Sequence, residues 1–281
     1  MAHLHIQLLG GLRVRDAVGR EVRLPSRKAT ALLACLALQP GAVHRRDFLA
    51  ALLWDDSDPE LARSSLRQAL ASLRRALPAD AAAAIIGDAA TLALDAAQVT
   101  CDVQECRSRL RDGSLDAIET AIECHSTTLL EGFQARSAAF EQWLEERRRE
   151  LRRELLQAIE RAASRHLTAG DLPGATQLLE RLVTLEPANE RAQRELMEFL
   201  ARLGRHTDAL RQYRVCVEAL RRDLDVAPEP ATEALHRDIL KRRRGNATTE
   251  PAIEPAGDRP EPSPSTRTEA TTLREAVVLV A

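Results

Sequence analysis

Lysine is nearly absent from this chain: Lys28 and Lys241 are the only two, so almost all of the 40 basic residues are arginine. Aromatics are also scarce, at 2%, although 44% of residues are hydrophobic. A core built without rings must be made of Leu, Ala and Val, which suits packed helices. Charge of one sign is not in excess either. With a net charge of −2 over 281 residues, the chain is not uniformly basic, and any anion-binding surface has to be local. No run reaches the roughly 18 apolar residues of a membrane span, so no membrane partner is expected. The opening "MAHLHIQLLGGLRV" alternates like a strand. It lacks the continuous apolar segment of a secretory leader, and a cytoplasmic location is expected.

The five cysteines, Cys35, Cys101, Cys106, Cys124 and Cys216, are odd in number and scattered. They read as buried thiols, not as disulfides. Cys101 and Cys106 lack a second ligand pair, so neither a zinc site nor any other metal is expected. Seven histidines are dispersed, and no Ser, His and Asp constellation or phosphate-cradling glycine loop is recognisable. No cofactor is expected, and the chain does not read as an enzyme.

What the chain does contain is ordered. Residues 3 to 24 alternate and turn at Gly10, Gly11 and Gly19, which predicts a small antiparallel sheet. Pro25 and Ser26 open a first helix, "RKATALLACLAL", that Pro40 and Gly41 stop. A second is expected in "HRRDFLAALLW". Asp58 and Pro59 cap a third, "PELARSSLRQALASLRRAL". Two short apolar runs around Gly87 and Asp88 then predict a β-hairpin. Strands, three helices and a hairpin within about 100 residues form the winged helix-turn-helix plan, whose third helix enters the major groove of double-stranded DNA.

From residue 102 to 244 the pattern is continuously helical. Gly170 and Gly204 lie 34 residues apart, as do Ala175 and Ala209, and 34 is the tetratricopeptide period. Small Ala175 and Ala209 let paired helices approach, and the two glycines make the turns. Residues 113 to 130, with Ala117 in the equivalent place, look like a divergent earlier repeat. Met197 stands where a small residue is usual. The fold class is therefore mainly α with a small β component: a winged helix-turn-helix over 1-100 and a tetratricopeptide-like repeat domain over 102-244. Residues 245-281 change to Pro, Thr, Ser, Glu and Gly, the composition of a linker or disordered tail.

The third helix carries the chemistry. At 3.6 residues per turn, Ala62, Leu66, Ala69, Leu70, Leu73 and Leu77 share one stripe. Ser64, Arg67, Gln68, Ala71 and Arg75 lie opposite, with Arg63 and Arg74 on one flank. After Glu60 there is no acid, so these arginines are expected to lack carboxylate partners. Arginine suits guanine, Gln68 adenine, Ala71 a thymine methyl, and Ser64 a base or a phosphate. A solvated helix face is the bland alternative; the tri-helical frame favours DNA. Arg27 and Lys28 open the first helix, and His44, Arg45 and Arg46 the second. Phosphate contacts and ordinary surface cations are both open for these. Trp54 is expected as a core plug. In "EERRRELRRELL" acids alternate with arginines, which predicts a solvated, self-paired face.

Together, "LHIQLLGGLRV…GREVRLPSRKATALLACLALQPGAVHRRDFLAALLWDD…ARSSLRQALASLRRAL" resembles the OmpR-type winged-helix domain of the SARP family, the antibiotic regulatory proteins of actinomycetes. "FEQWLEERRREL", the repeats and "LRRDLDVAPEPATEALHRDIL" resemble the bacterial transcriptional activator domain that follows it. The resemblance implies a DNA-binding transcriptional activator that reads direct repeats near a promoter with helix 61-77, contacts RNA polymerase, and uses its repeats for dimerisation or regulation, which makes a homodimer on DNA the expected form. One departure is the hairpin tip "GDAAT", which carries Asp88 and no cation where family members often have basic residues. The final "REAVVLVA" resembles the first strand of class III nucleotide cyclases. Two alternatives follow: a protein-interaction scaffold, or the regulatory front end of a cyclase-containing protein.

Overall fold

The computed structural model describes residues 4–247. Residues 245–247 are helical, so the linker expected from 245 does not begin there; its remainder and the cyclase-like ending lie outside these residues. The chain begins with β1 (Leu4–Gln7) and β2 (Arg13–Asp16), an antiparallel pair with Ile6 opposite Val14. Leu4, Ile6 and Val14 point inward, while His5, Gln7, Arg13 and Arg15 face out, the alternation of a half-buried sheet. A third strand, β6 (Val99–Cys101), lies parallel to β1. It closes the sheet in the order β2-β1-β6.

Three helices follow. α1 (Arg27–Ala37) starts at Ser26, whose hydroxyl accepts from the Ala29 amide, and its buried face is Leu and Ala with Cys35. α2 (Arg46–Leu53) is shorter than expected. His44 and Arg45 precede it as strand β3 (His44–Arg45), paired with Leu92 and Thr91. This corrects the placing of Arg45 on a helix: it extends to complete a ladder with the hairpin. α3 (Pro59–Ala76) is capped by Asp58, whose carboxylate accepts from the Glu60 amide, with Pro59 in the first turn. Its last turn holds Arg74 and Arg75, which suit the negative end of the helix.

The hairpin is β4 (Ile85–Gly87) and β5 (Thr91–Leu94). Its first run is shorter than expected, because residues Ala79–Ala83 form a short helix, α4, after Pro78. Alanine favours helix over strand, and proline opens helices. Gly87 sits at φ 152°, and a Cβ there would lie 2.3 Å from the Thr91 carbonyl oxygen. Only glycine lets the hairpin close so tightly.

The second half is helical but not continuous. α5 (Asp102–Asp112) and α6 (Leu115–His125) form a pair. In it Ile118 and Ala121 are fully buried, whereas Ala117 is half-buried. Residues 126–137 form an irregular connection with left-handed Leu130 and Arg136. α7 (Ala138–Thr168) then packs on α8 (Leu172–Leu185), and α9 (Glu190–Arg202) on α10 (His206–Leu224). Gly170 and Gly204 make the two turns at φ 79° and 76°, and Ala175 and Ala209 are fully buried. Met197 is buried too, filling the space a smaller residue would leave. α11 (Pro230–Ala247) packs against α10 and α9.

The two halves share one hydrophobic core. Chain after α6 adds to the first sheet: the Gly10 amide donates to Thr128 O, and the Leu130 amide to Leu8 O at 2.8 Å. The Asp102 carboxylate accepts from the Leu8, Leu9 and Val103 amides. Buried Ser137 caps α7 and donates to Leu52 O at 2.7 Å, and Asp55 accepts from the Ala139 amide. Phe140 lies behind this seam, edge-on to Phe133 at 6.0 Å and 5.4 Å from Trp143.

Candidate nucleic-acid interface

α3 buries Ala62, Leu66, Ala69, Leu70 and Leu73, with Leu77 at its end. The opposite side is open: Arg67, Gln68, Ala71, Arg74 and Arg75 are exposed, and Ser64 is half-buried. The apolar stripe locks onto α1 and α2 and so fixes which side faces out. The helix is about 27 Å long at 1.5 Å per residue, enough to lie along a groove about 12 Å wide.

The arginines differ in their surroundings. Arg67 has no partner among the described residues. Arg74 donates to Ile85 O at 2.9 Å, tying α3 to the hairpin, and Arg75 donates back to Ala71 O at 3.3 Å. Arg63 departs from expectation. Its Nε lies 2.8 Å from the Asp47 carboxylate on α2, and this hydrogen bond raises its pKa. Sequence spacing hid the pair because Asp47 belongs to another helix. Both side chains are about half exposed, at 51% and 56%, so solvent screens the pair and a phosphate can compete for it.

The outlying cations divide as well. Arg27 is exposed and has no partner among the described residues. Lys28 is drawn inward: its ammonium donates to Leu53 O and to Arg136 O, and it sits 5.7 Å from the centre of the Trp54 ring. Burial pushes its pKa down. Lys28 is therefore a seam residue, drawn toward carbonyls and a ring instead of standing as the phosphate contact or free surface cation that were both open for it. Trp54 is half-buried against the core. Arg45 is exposed beside Thr91. Arg46 donates through its amide to Ala90 O and through Nε to Thr91 O.

These last two change the picture of the hairpin. Its tip holds Asp88, but that carboxylate is engaged in the turn. It accepts from the Ala90 amide, the Thr91 amide and the Thr91 hydroxyl, which hold its carboxyl below the ordinary carboxylate range. The cations come from alongside, Arg45 at the end of β3 and Arg46 at the start of α2. Their pairing with the hairpin was invisible in sequence because β3 lies 46 residues before Thr91.

Leu61 was missed. It is exposed on the first turn of α3, three residues before Ser64 and seven before Gln68. That spacing was the available signal.

Arg147, Arg148 and Arg152 do not form the purely solvated face expected. Arg148 reaches Leu129 O and Leu130 O, Arg152 reaches Leu185 O, and Glu154 holds Arg107 by two hydrogen bonds. Only part of this run is self-paired, through Glu145–Arg148 and Arg147–Glu150. Arg147, Arg148 and Arg152 staple the helical half together, while Arg149 and Arg153 stay exposed without a partner among the described residues.

A winged helix with an outward arginine-bearing helix, fused to stacked helix pairs, is the architecture of a transcriptional regulator. Residues 94–240 match the bacterial transcriptional activator domain, and residues 19–88 match the C-terminal domain of transcriptional regulatory proteins. The chain belongs to the bacterial transcriptional activator domain family. No curated protein matches it. Among solved structures it is similar to Mycobacterium tuberculosis EmbR in complex with a low affinity phosphopeptide. The TM-score is 0.59 and the identity 22%, over 89% of this chain and 69% of that one. These domains are those of transcriptional regulators. Among the described residues no helix is long and apolar enough to cross a membrane.

Proposed function

We propose that the chain activates transcription by binding specific double-stranded DNA through α3 in the major groove. The unit around residues 1-100 binds DNA, and the unit over 102-244 carries dimerisation and regulation. Arg67 and Gln68, exposed donors on α3 with no partner among the described residues, address base edges. Arg27, Arg45 and Arg46 flank the helix on the phosphate side, with Arg63 joining them by exchanging Asp47 for phosphate. Arg74 and Arg75 serve from the last turn, one of them anchored to the hairpin. The protein acts as a homodimer on direct repeats and engages RNA polymerase from the promoter.

One observation carries this reading. The solvent face of α3 holds no acid after Glu60, and among the described residues three of its four arginines have no carboxylate partner. Fluorescence anisotropy with operator DNA, selected from random sequence by the full chain, tests it across a salt series. Affinity is expected to fall with salt at a log–log slope of about −4 to −7, the signature of about four to eight neutralised phosphates. Binding that ignores salt, or no selectable DNA at all, overturns the reading and leaves a protein-interaction scaffold in its place.

A further inference from the structure

Among the described residues of α3, Leu61 is the one large apolar side chain left exposed, at 61%. A lone exposed leucine is ordinary on a protein surface. Its place on this helix is not. Leu61, Ser64, Gln68, Ala71 and Arg75 recur at steps of three and four and lie on the line opposite the buried stripe. Leu61 thus heads the row of side chains that the fold aims away from the core. It borders a depression lined by Asp58, Glu60, Leu61, Arg63, Ser64 and Arg67.

The chemistry around it narrows what it can meet on DNA. Leucine has no donor for a phosphate. Asp58 and Glu60 are exposed beside it and repel phosphates, so this turn suits the groove floor and not the backbone. On that floor the apolar feature is the thymine C5-methyl, and the first turn of a recognition helix is the part that meets base edges. We infer that Leu61 reads the C5-methyl of one thymine in each half-site, which makes it a specificity-determining residue. This rests on the proposal that α3 is the recognition helix.

Replacing thymine by uracil removes that methyl and nothing else. The full chain is used to select an operator, and each thymine is changed to uracil in turn. At one position the native protein is expected to lose about fourfold in affinity, the worth of one buried methyl-sized group. Leu61→Ala is expected to bind thymine and uracil alike at that position, with its far-UV circular dichroism and salt slope unchanged. A uracil penalty that persists in Leu61→Ala, or no thymine with a penalty, overturns the inference while leaving the DNA-binding reading intact. Failure of the native chain to select any DNA overturns both.

Discussion

Arg63 and Arg67 lie one helical turn apart, yet their surroundings differ. Arg63 is held by Asp47 across a helix–helix gap, whereas Arg67 extends without a partner among the described residues. An arginine that must first leave a carboxylate contributes less to binding than one already free. Arg67→Ala is therefore expected to cost about 1–3 kcal/mol of DNA affinity and to relax preference at one base position. Arg149→Ala, on the exposed side of α7, is expected to leave both unchanged. Anisotropy with the selected operator and its single-base variants measures this, and the reverse ranking would place the interface on the wrong half.

Cysteine chemistry is also settled residue by residue. Burial pushes the Cys101 and Cys106 thiols up to about 12 and Cys216 to about 11, and raises Cys35 as well. Cys106 further contacts the His125 ring at 3.2 Å. Cys124 alone of the five is not fully buried. A thiol reacts as its thiolate and only where a reagent can reach it. Native protein at neutral pH is expected to give one fast-labelling cysteine, Cys124, by mass spectrometry with maleimide, and five in denaturant. Rapid labelling of Cys216 or Cys35 would contradict the packing of α10 or α1.

At the scale of elements, the hairpin shows how an exposed charge can be structural. Asp88 holds its own turn through three hydrogen bonds, the Ala90 amide first, and these keep its carboxyl below the ordinary 3.8. A depressed folded-state pKa gives stability that is present above the unfolded value and lost as pH falls through the folded one. Amide exchange at Ala90 and Thr91 is therefore expected to speed up as pH drops below about 3.8, beyond the intrinsic trend. Asp88→Asn, which cannot ionise, is expected to remove that pH response. An unchanged profile in the variant would show that another group governs the turn.

The same element marks how far the sequence could be read. Gly87 and Asp88 announced the hairpin, and Ser26, Asp58 and Pro59 announced the helix starts, because caps and turns are local chemistry. The buried stripe of α3 was legible in full for the same reason: helical period is a property of consecutive residues. What could not be read depends on partners distant in the chain. These are the His44–Arg45 strand, the Arg63–Asp47 pair, the withdrawal of Lys28 to Leu53 O and Arg136 O, and the parallel strand Val99–Cys101. The alanines at 79–83 misled for another reason: an apolar run too short to show a period is ambiguous between strand and helix.

Across the whole molecule, the winged helix and the helical half are joined by backbone pairing and buried polar contacts, not by a bare linker. The first sheet gains the chain near Thr128 and Leu130, α5 begins on the Asp102 carboxylate that caps Leu8 and Leu9, and α7 begins on Ser137 bonded to Leu52 O. Such a seam couples the unfolding of one half to that of the other. Ser137→Ala removes a buried hydroxyl that both caps α7 and satisfies a carbonyl of α2, a loss of about 1–2 kcal/mol. For a chain of this size that corresponds to a drop of roughly 2–8 °C in Tm. Differential scanning calorimetry is expected to show one transition for the native chain and one, shifted down, for Ser137→Ala. Two separate transitions, with only the helical half shifted, would mean that α7 is anchored without the winged helix. In that case the orientation of α3 would be independent of the repeats, and regulation through them would require another route.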